Sequence, residues 1–167
     1  MSNLLVRLKR IEKNKKNARL ILKWENAVRQ HPQEVENFLT RGAITWERHW
    51  PWFKARDNRY YYFICIVNGG REKRVGTVSL EPDKKPDTYA SSILIAGAWR
   101  NKGIGAKALH LACKRLKARH PEAKIVAKIL SHNIASIRCF EKAHFRKIKE
   151  EKFKKKKLLL FRYYPVY

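Results

Sequence analysis

The 167-residue sequence predicts an α+β chain built on a mostly antiparallel, twisted sheet with one parallel pair near its centre. Three observations carry that expectation. Aromatic and β-branched runs flank a strong turn signal, Asn68-Gly69-Gly70, as in a β-hairpin. A strand, helix, strand, helix order follows from Tyr89 to Ala143. Two more strand-like runs then close the chain, and seven strands and four helices are counted in all. The length suits one domain over 1–167, and 44% apolar with 11% aromatic residues is too much for a disordered polycation.

Each element has its own signal. Leu4–Ile11 has β-compatible composition and reads as an edge strand. From Ala18 to Val28, Ile21, Trp24 and Val28 recur at three- and four-residue steps, which predicts an amphipathic helix. A second helix is expected over Thr45–Ala55, where Trp46, Trp50 and Phe53 share a face and Pro51 should kink or divide it. Arg59–Val67 and Arg74–Leu80 form the hairpin, and Glu81–Thr88 with its two prolines reads as a loop. Tyr89–Ala96 is apolar or small on both faces, the pattern of a strand buried on both sides. A helix opens near Gly103 and runs to Arg119, with Gly105, Ala108, Leu109, Ala112, Cys113 and Leu116 inward and Lys107, His110, Lys114 and Lys117 toward water. Ile125–Leu130 is a strand, Asn133–Ala143 a helix, and Phe145–Glu150 and Leu158–Tyr164 are the last strands. If the first and last strands are the exposed edges, pairing between subunits and coverage within one subunit both stay open.

Lys and Arg number 39 against 14 Asp and Glu, a formal charge of +25. Such a field attracts anions of many kinds and selects none by itself. The densest block, Lys154–Lys157, lies between two strands and reads equally as an exposed connection or a phosphate grip. No helix-turn-helix, zinc finger or aromatic RNA-binding signature accompanies it, so nucleic acid is the less favoured partner. No apolar run approaches the roughly 18 residues of a membrane span, and Arg7 interrupts any apolar leader. Three dispersed cysteines without a CxxC pair argue against a disulfide framework or a metal site and fit a cytoplasmic setting.

The chemistry concentrates in Ser92–Ala108. A strand leads through small residues into Arg100-Asn101-Lys102-Gly103-Ile104-Gly105 and straight into a helix. Glycines admit close backbone approach, the first helical amides point outward, and the helix dipole favours negative charge there. A pyrophosphate is the natural occupant. Gly103-Ile104-Gly105-Ala106-Lys107-Ala108 also satisfies a dinucleotide fingerprint, but that motif wants an acid about 20 residues on, near the end of the next strand. This strand ends in Leu130-Ser131-His132. A third reading is that the glycines only permit tight strand–helix packing.

Arg100-x-x-Gly103-x-Gly105 after a strand resembles the acetyl-coenzyme A signature of the GNAT superfamily of N-acetyltransferases, Q/R-x-x-G-x-G/A. Asn133-Ile134-Ala135-Ser136-Ile137-Arg138-Cys139-Phe140-Glu141-Lys142-Ala143-His144-Phe145 is similar to its downstream block, N-x-x-(A/S)-x-x-x-(Y/F)-E-K-x-G-F. The resemblance covers nearly the whole chain and implies a GNAT-like sheet with a splayed parallel pair. It implies acetyl-CoA as co-substrate and no metal, with a cofactor-binding core over about 73–145 and acceptor-side elements over about 1–60. The strands would part beyond Ala96 and Gly97, the pantetheine pairing with backbone around Ile95–Gly97. Arg100, Asn101, Lys102, Gly103, Ile104 and Gly105 would hold the pyrophosphate. Asn133 and Ser136 would face the pantetheine, Arg138 a coenzyme phosphate, and Phe140 would line the same site. Asn133 reads equally well as the cap of its own helix.

Acyl transfer to an amine requires a neutral amine, a donor to the developing oxyanion and a proton for the thiolate. A backbone amide near Ile95 is the expected oxyanion donor. Phe140 stands where relatives carry an acidic tyrosine, so that proton comes from elsewhere. Glu81 and His132 are the two candidate bases, each with an ordinary reading as a solvated loop residue. Lys128 stands where some relatives have a glutamate, and His144 replaces a glycine and should strain or shift the helix end.

Trp24-Glu25-Asn26 with Arg29, then His49 and Trp52 with Phe53, resembles the subgroup that acetylates nucleotide-linked amino sugars. Trp24, Asn26, Arg29, His49 and Trp52 are the implied acceptor residues, aromatic faces stacking on a sugar or base and cations meeting a diphosphate. Trp24, Trp46 and Phe53 also fit a helix face packed in the core. A protein or ribosomal-protein amine as acceptor, and a weakly catalytic module binding CoA or RNA, are the alternatives.

Overall fold

A computed structural model describes residues 4–31 and 42–166. Of the expected acceptor-side stretch 1–60, residues 1–3 and 32–41 therefore lie outside the described part. In chain order the elements are β1 (Leu5–Arg10), α1 (Lys15–Gln30), α2 (Trp46–Ala55), β2 (Tyr61–Asn68), β3 (Arg71–Pro82), β4 (Thr88–Ile95), α3 (Ile104–Arg119), β5 (Lys124–Leu130), α4 (Ile134–Lys142), β6 (Phe145–Phe153) and β7 (Lys156–Tyr163). The seven strands form one sheet in the order β1-β2-β3-β4-β5-β7-β6. Every neighbouring pair is antiparallel except β4 with β5.

Alternation along the strands divides the core. On β2, Tyr62, Ile64 and Ile66 face one way and pack with Leu109, Ala112 and Leu116 of α3. Tyr61, Phe63 and Cys65 face the other way, beneath Ala18 and Ile21 of α1 and Phe53 of α2. One sheet face thus carries α3 and α4, the other α1 and α2. Turn chemistry closes both hairpins. Gly69 and Gly70 sit at φ 55° and 76° between paired Asn68 and Arg71, and Lys154 and Lys155 at 45° and 63° between Phe153 and Lys156. Positive φ at both central positions matches the right-handed twist of the strands. Of the lysine run, only Lys154 and Lys155 are the turn, while Lys156 and Lys157 belong to β7.

Several expectations change. Pro51 does not break α2, because it is exposed and removes only the one bond its missing N–H would give Glu47. The expected loop over 81–88 is shorter, since Glu81 and Pro82 pair with Ala90 and Tyr89. β4 is half-exposed rather than buried on both faces, because its β5 side opens. His110 is half-buried rather than turned to water, its Nδ1 3.2 Å from the Tyr163 hydroxyl. The sheet edges are β1 and β6, with β7 enclosed between β5 and β6. His144 does adopt φ 69°, just after α4, and its amide bonds the Glu141 carbonyl. Among the described residues no helix is long and apolar enough to cross a membrane.

His49 shows how α1 and α2 are joined. It is 2% exposed, stacks on Phe53, and donates from Nε2 to the Ala18 carbonyl at 2.9 Å. Burial holds its pKa below the ordinary histidine value, opposed by the bond to Ala18. A depressed histidine stabilises the fold above its unfolded value, near 6.5, and that stability is lost as pH falls through the folded value. The melting temperature should therefore fall from pH 7 to pH 5, and His49→Gln should flatten that slope in calorimetry across the same range.

Candidate active site

β4 and β5 are paired at only three positions, Thr88 with Lys124, Tyr89 with Ile125 and Ala90 with Val126. The ladder then stops. The Ser91 hydroxyl donates to the Val126 carbonyl at 2.8 Å, the acceptor the next backbone amide would have taken. Beyond it β4 stays bound to β3 as far as Ile95, and β5 to β7 as far as Leu130. A wedge opens between the two inner edges. It begins at Ser91, several residues before Ala96 and Gly97 where the sequence placed it, because the serine rather than the small residues ends the pairing.

The backbone of β4 supplies polar groups to this wedge. Lys124 N donates to Asp87 O toward β5, while Ala96 N donates to Val75 O toward β3. Alternation then directs the N–H and C=O of Ile93 and Ile95 into the opening. The Ile95 carbonyl accepts from Arg100 Nε at 3.2 Å. Gly97 begins a short 3₁₀ turn, Gly97–Trp99, so only Ile95 of the Ile95–Gly97 trio retains a strand geometry.

At the wedge mouth the chain turns through Asn101 at φ 60° and Gly103 at φ 73° into α3. The Gly103 carbonyl accepts the first helical bond, from Lys107, so the amides of Ile104, Gly105 and Ala106 precede any intrahelical partner. Asn101, Lys102 and Gly103 are exposed around them, whereas Ile104 and Gly105 are buried. Left-handed backbone explains Gly103. Gly105 answers to space, for a Cβ there would lie 2.9 Å from Cys139 Sγ and 3.2 Å from Ile93 Cδ1. Backbone conformation accounts for Gly103 and close packing for Gly105.

α4 borders the same mouth. Asn133 caps it, accepting from Ser136 N at 3.2 Å. Ser136 is half-buried and Arg138 exposed. Phe140 is 4% exposed, with its ring edge-on to Phe145 at 4.9 Å, so it packs the core behind the wedge. Burial pushes the Cys139 thiol up to about 11.

On the opposite face of the wedge, that of α1 and α2, a polar group gathers that the sequence showed only in pieces. The Arg56 side chain is 7% exposed and pairs with Glu81. Its guanidinium lies over the rings of Tyr61 at 4.0 Å and Trp52 at 4.8 Å, and Nη2 donates to Ser79 Oγ at 2.6 Å. Burial raises the Glu25 carboxyl above its usual range, opposed by Arg29 and Arg56. It also pushes Tyr61 up to about 12. In the sequence Glu25 has no role of its own within Trp24-Glu25-Asn26, and nothing singles out Arg56, since a cation at the cap of an aromatic helix carries no motif.

The structure separates the other candidates. Glu81 sits beside Ala90, at the closed end of the wedge, while exposed His132 follows β5 at its open end. Trp24 is half-buried, edge-on to Phe63, and Asn26 clamps the backbone of Ile44 through both amide atoms. His49 lies in the core, and Trp52 is exposed at 44%. Arg29 is half-buried on α1. Lys128 faces the α1–α2 side and pairs with Glu151 at 3.8 Å. Among the described residues no group of three His, Cys, Asp or Glu is placed to hold a metal. Gly105→Val should lower stability by about 1–3 kcal/mol through overpacking, while Gly97→Ala, whose Cβ meets nothing within 4 Å, should leave the melting temperature unchanged.

Comparison with known proteins agrees with this architecture. The model of the acetyltransferase (GNAT) family matches residues 21–145. An uncharacterized protein of Methanocaldococcus jannaschii is 31% identical over 115 residues, which are 68% of this chain and 23% of that protein, so the chain spans about a quarter of that relative. The crystal structure of a domain from the same organism superposes with a TM-score of 0.78 at 25% identity, covering 96% of this chain and 99% of that one. AAC(6')-Ib, solved with acetyl-CoA, shares the fold with a TM-score of 0.69 at 18% identity over 95% and 92% of the two chains. A sheet that opens beside a glycine-led helix, inside a family match spanning most of the chain, makes this protein a member of the acetyltransferase (GNAT) family.

Proposed function

We propose that the protein is an acetyl-CoA-dependent N-acetyltransferase whose acceptor is an anionic small molecule, a nucleotide-linked amino sugar. Its primary amine attacks the thioester carbonyl of acetyl-CoA directly in a ternary complex, and the CoA thiolate leaves. The observation that carries this reading is the two-sided wedge. One face offers the amide-rich start of α3, the other a polar group around Arg56 and an exposed indole, Trp52. A single opening with unlike faces suits two substrates that meet inside the sheet rather than a covalent relay. Residues of about 73–145 then form the cofactor core and those of about 1–60 the acceptor side of one domain over 1–167.

On the cofactor side Ile95, Ala96 and Gly97 border the pantetheine, and Arg100, Asn101, Lys102, Gly103, Ile104 and Gly105 surround the pyrophosphate. Ser136 and Arg138 flank it from α4. Asn133 and Phe140 serve through position, as cap and as packing. The wedge-facing amides of Ile93 and Ile95 are the oxyanion donors. Donors already held by a strand need no reorganisation as charge develops, which is where such groups gain their catalytic value.

On the acceptor side Trp52 supplies a stacking face, with Trp24, Asn26, Arg29 and His49 shaping the helices that present it. Glu81 takes the amine proton. It shares a sheet face with Ser79, and one carboxylate oxygen is held by Arg56. His132 stands at the far end of the wedge and is the weaker candidate. A surplus of 25 positive charges favours a diphosphate-bearing acceptor and disfavours the lysine-rich tails of ribosomal proteins. Turnover of amino-sugar nucleotides set beside N-terminal peptides tests the assignment; faster acetylation of the peptides would reverse it.

Two substitutions examine the parts. Gly103→Asp places a side chain in left-handed backbone and a like charge against the phosphates, and should weaken acetyl-CoA by at least about 100-fold in calorimetry. Glu81→Gln should reduce kcat/KM by about 10²–10⁴-fold and remove the acidic limb of its pH profile, with His132→Ala near wild type. An unchanged limb in Glu81→Gln would transfer the role elsewhere.

A further inference from the structure

We infer that Ser92 recognises a hydroxyl group of the acceptor, and that Arg56 and Ser79 orient it for that purpose. The inference rests on the reading of the α1–α2 face as the acceptor side. Its basis is a row of three side chains across the sheet. Tyr61 and Ser79 are register partners on β2 and β3, and Ser79 and Ser92 on β3 and β4. Arg56 lies over Tyr61, its Nη2 is 2.6 Å from Ser79 Oγ, and Ser79 Oγ is 2.7 Å from Ser92 Oγ.

The direction of this chain follows from donor chemistry. A guanidinium has donors and no acceptor, so Arg56 donates to Ser79. Ser79 is 2% exposed, and its hydroxyl has only Arg56 and Ser92 as side-chain partners among the described residues. Its proton therefore goes to Ser92 Oγ. Ser92 is left with its own O–H and one lone pair, and it is exposed. It lies within Ser91–Ile95, where β4 has left β5. Ile93 Cδ1 and Ile95 Cγ1 approach Gly105 of α3, so Ser92 faces the opposite side, toward α1 and α2.

One free donor beside one free acceptor on the same oxygen is the complement of a single hydroxyl, which also gives and takes one bond. An alcohol next to the reacting amine satisfies both. A lysine side chain or a simple alkylamine presents methylenes there and leaves both valences to water. Arg56 cannot turn away, held by Glu81 and between two aromatic rings, so the pattern at Ser92 is fixed before substrate arrives. Ser92 is thus a specificity residue, and Arg56 and Ser79 are positioning residues that touch no substrate.

The test compares two acceptor pairs, trans-2-aminocyclohexanol with cyclohexylamine, and a nucleotide-linked amino sugar with its analogue lacking the hydroxyl beside the amine. The readout is the ratio of kcat/KM within each pair, or of Kd to the CoA-bound protein where turnover is slow. Wild type should favour the hydroxylated member by about tenfold, the worth of one made or missing hydrogen bond. Ser92→Ala and Ser79→Ala should bring the ratio near one, Ser92→Thr should restore it, and Arg56→Lys should lower it, with acetyl-CoA affinity unchanged throughout. General loss of stability scales both members alike and does not move the ratio. A wild-type ratio near one in both pairs, or a ratio that survives Ser92→Ala, overturns the inference. Preference within the cyclohexyl pair together with no turnover of the nucleotide sugar would retain Ser92 and discard the nucleotide acceptor; turnover of the sugar with a ratio near one would do the reverse.

Discussion

The parting of β4 from β5 after Ala90 and Val126 is the constraint on which the rest depends. A parallel pair in the middle of a sheet ordinarily satisfies both inner edges, and unpaired backbone there is costly when buried. Here each strand is held along its outer side, by β3 and by β7, so the inner edges separate without loss of the sheet. Ser91 ends the ladder with its side chain. Everything chemical sits along the resulting opening.

The two faces of that opening were built by different means. One face is local in sequence: a strand, a turn with two left-handed residues, and a helix whose first amides precede any intrahelical partner, all within Ile93–Ala106. The other face draws on α1, the end of α2, β3 and β4, and its centre is a buried arginine. Burying that cation is tolerable because Glu81, Ser79 and two aromatic faces receive it. The same contacts keep it still.

Basic character works on a longer range. The β6–β7 hairpin carries nine Lys and Arg against two acids, with Lys147 and Lys157 on Glu150 and Lys149 on Glu151. Exposed pairs of this kind add little stability. The surplus of positive charge over the whole chain attracts anions without selecting one.

The sequence by itself determined the elements and the glycine turn that opens α3. Periodicity placed all four helices and seven strands within a few residues, because amphipathic spacing and paired turn residues are local physics. Arg100, Gly103 and Gly105 were legible for the same reason, since a helix start is encoded by its neighbours in the chain. Tertiary structure alone decided where the wedge begins, that His49 and Phe140 are packing residues, and that Arg56 joins Glu81, Ser79 and Ser92 into one polar row. Those relations bring together residues 13 to 36 positions apart across two strands and a helix end. They are fixed by sheet register and by the closure of the aromatic layer beneath α1 and α2, and neither leaves a periodic trace in the chain.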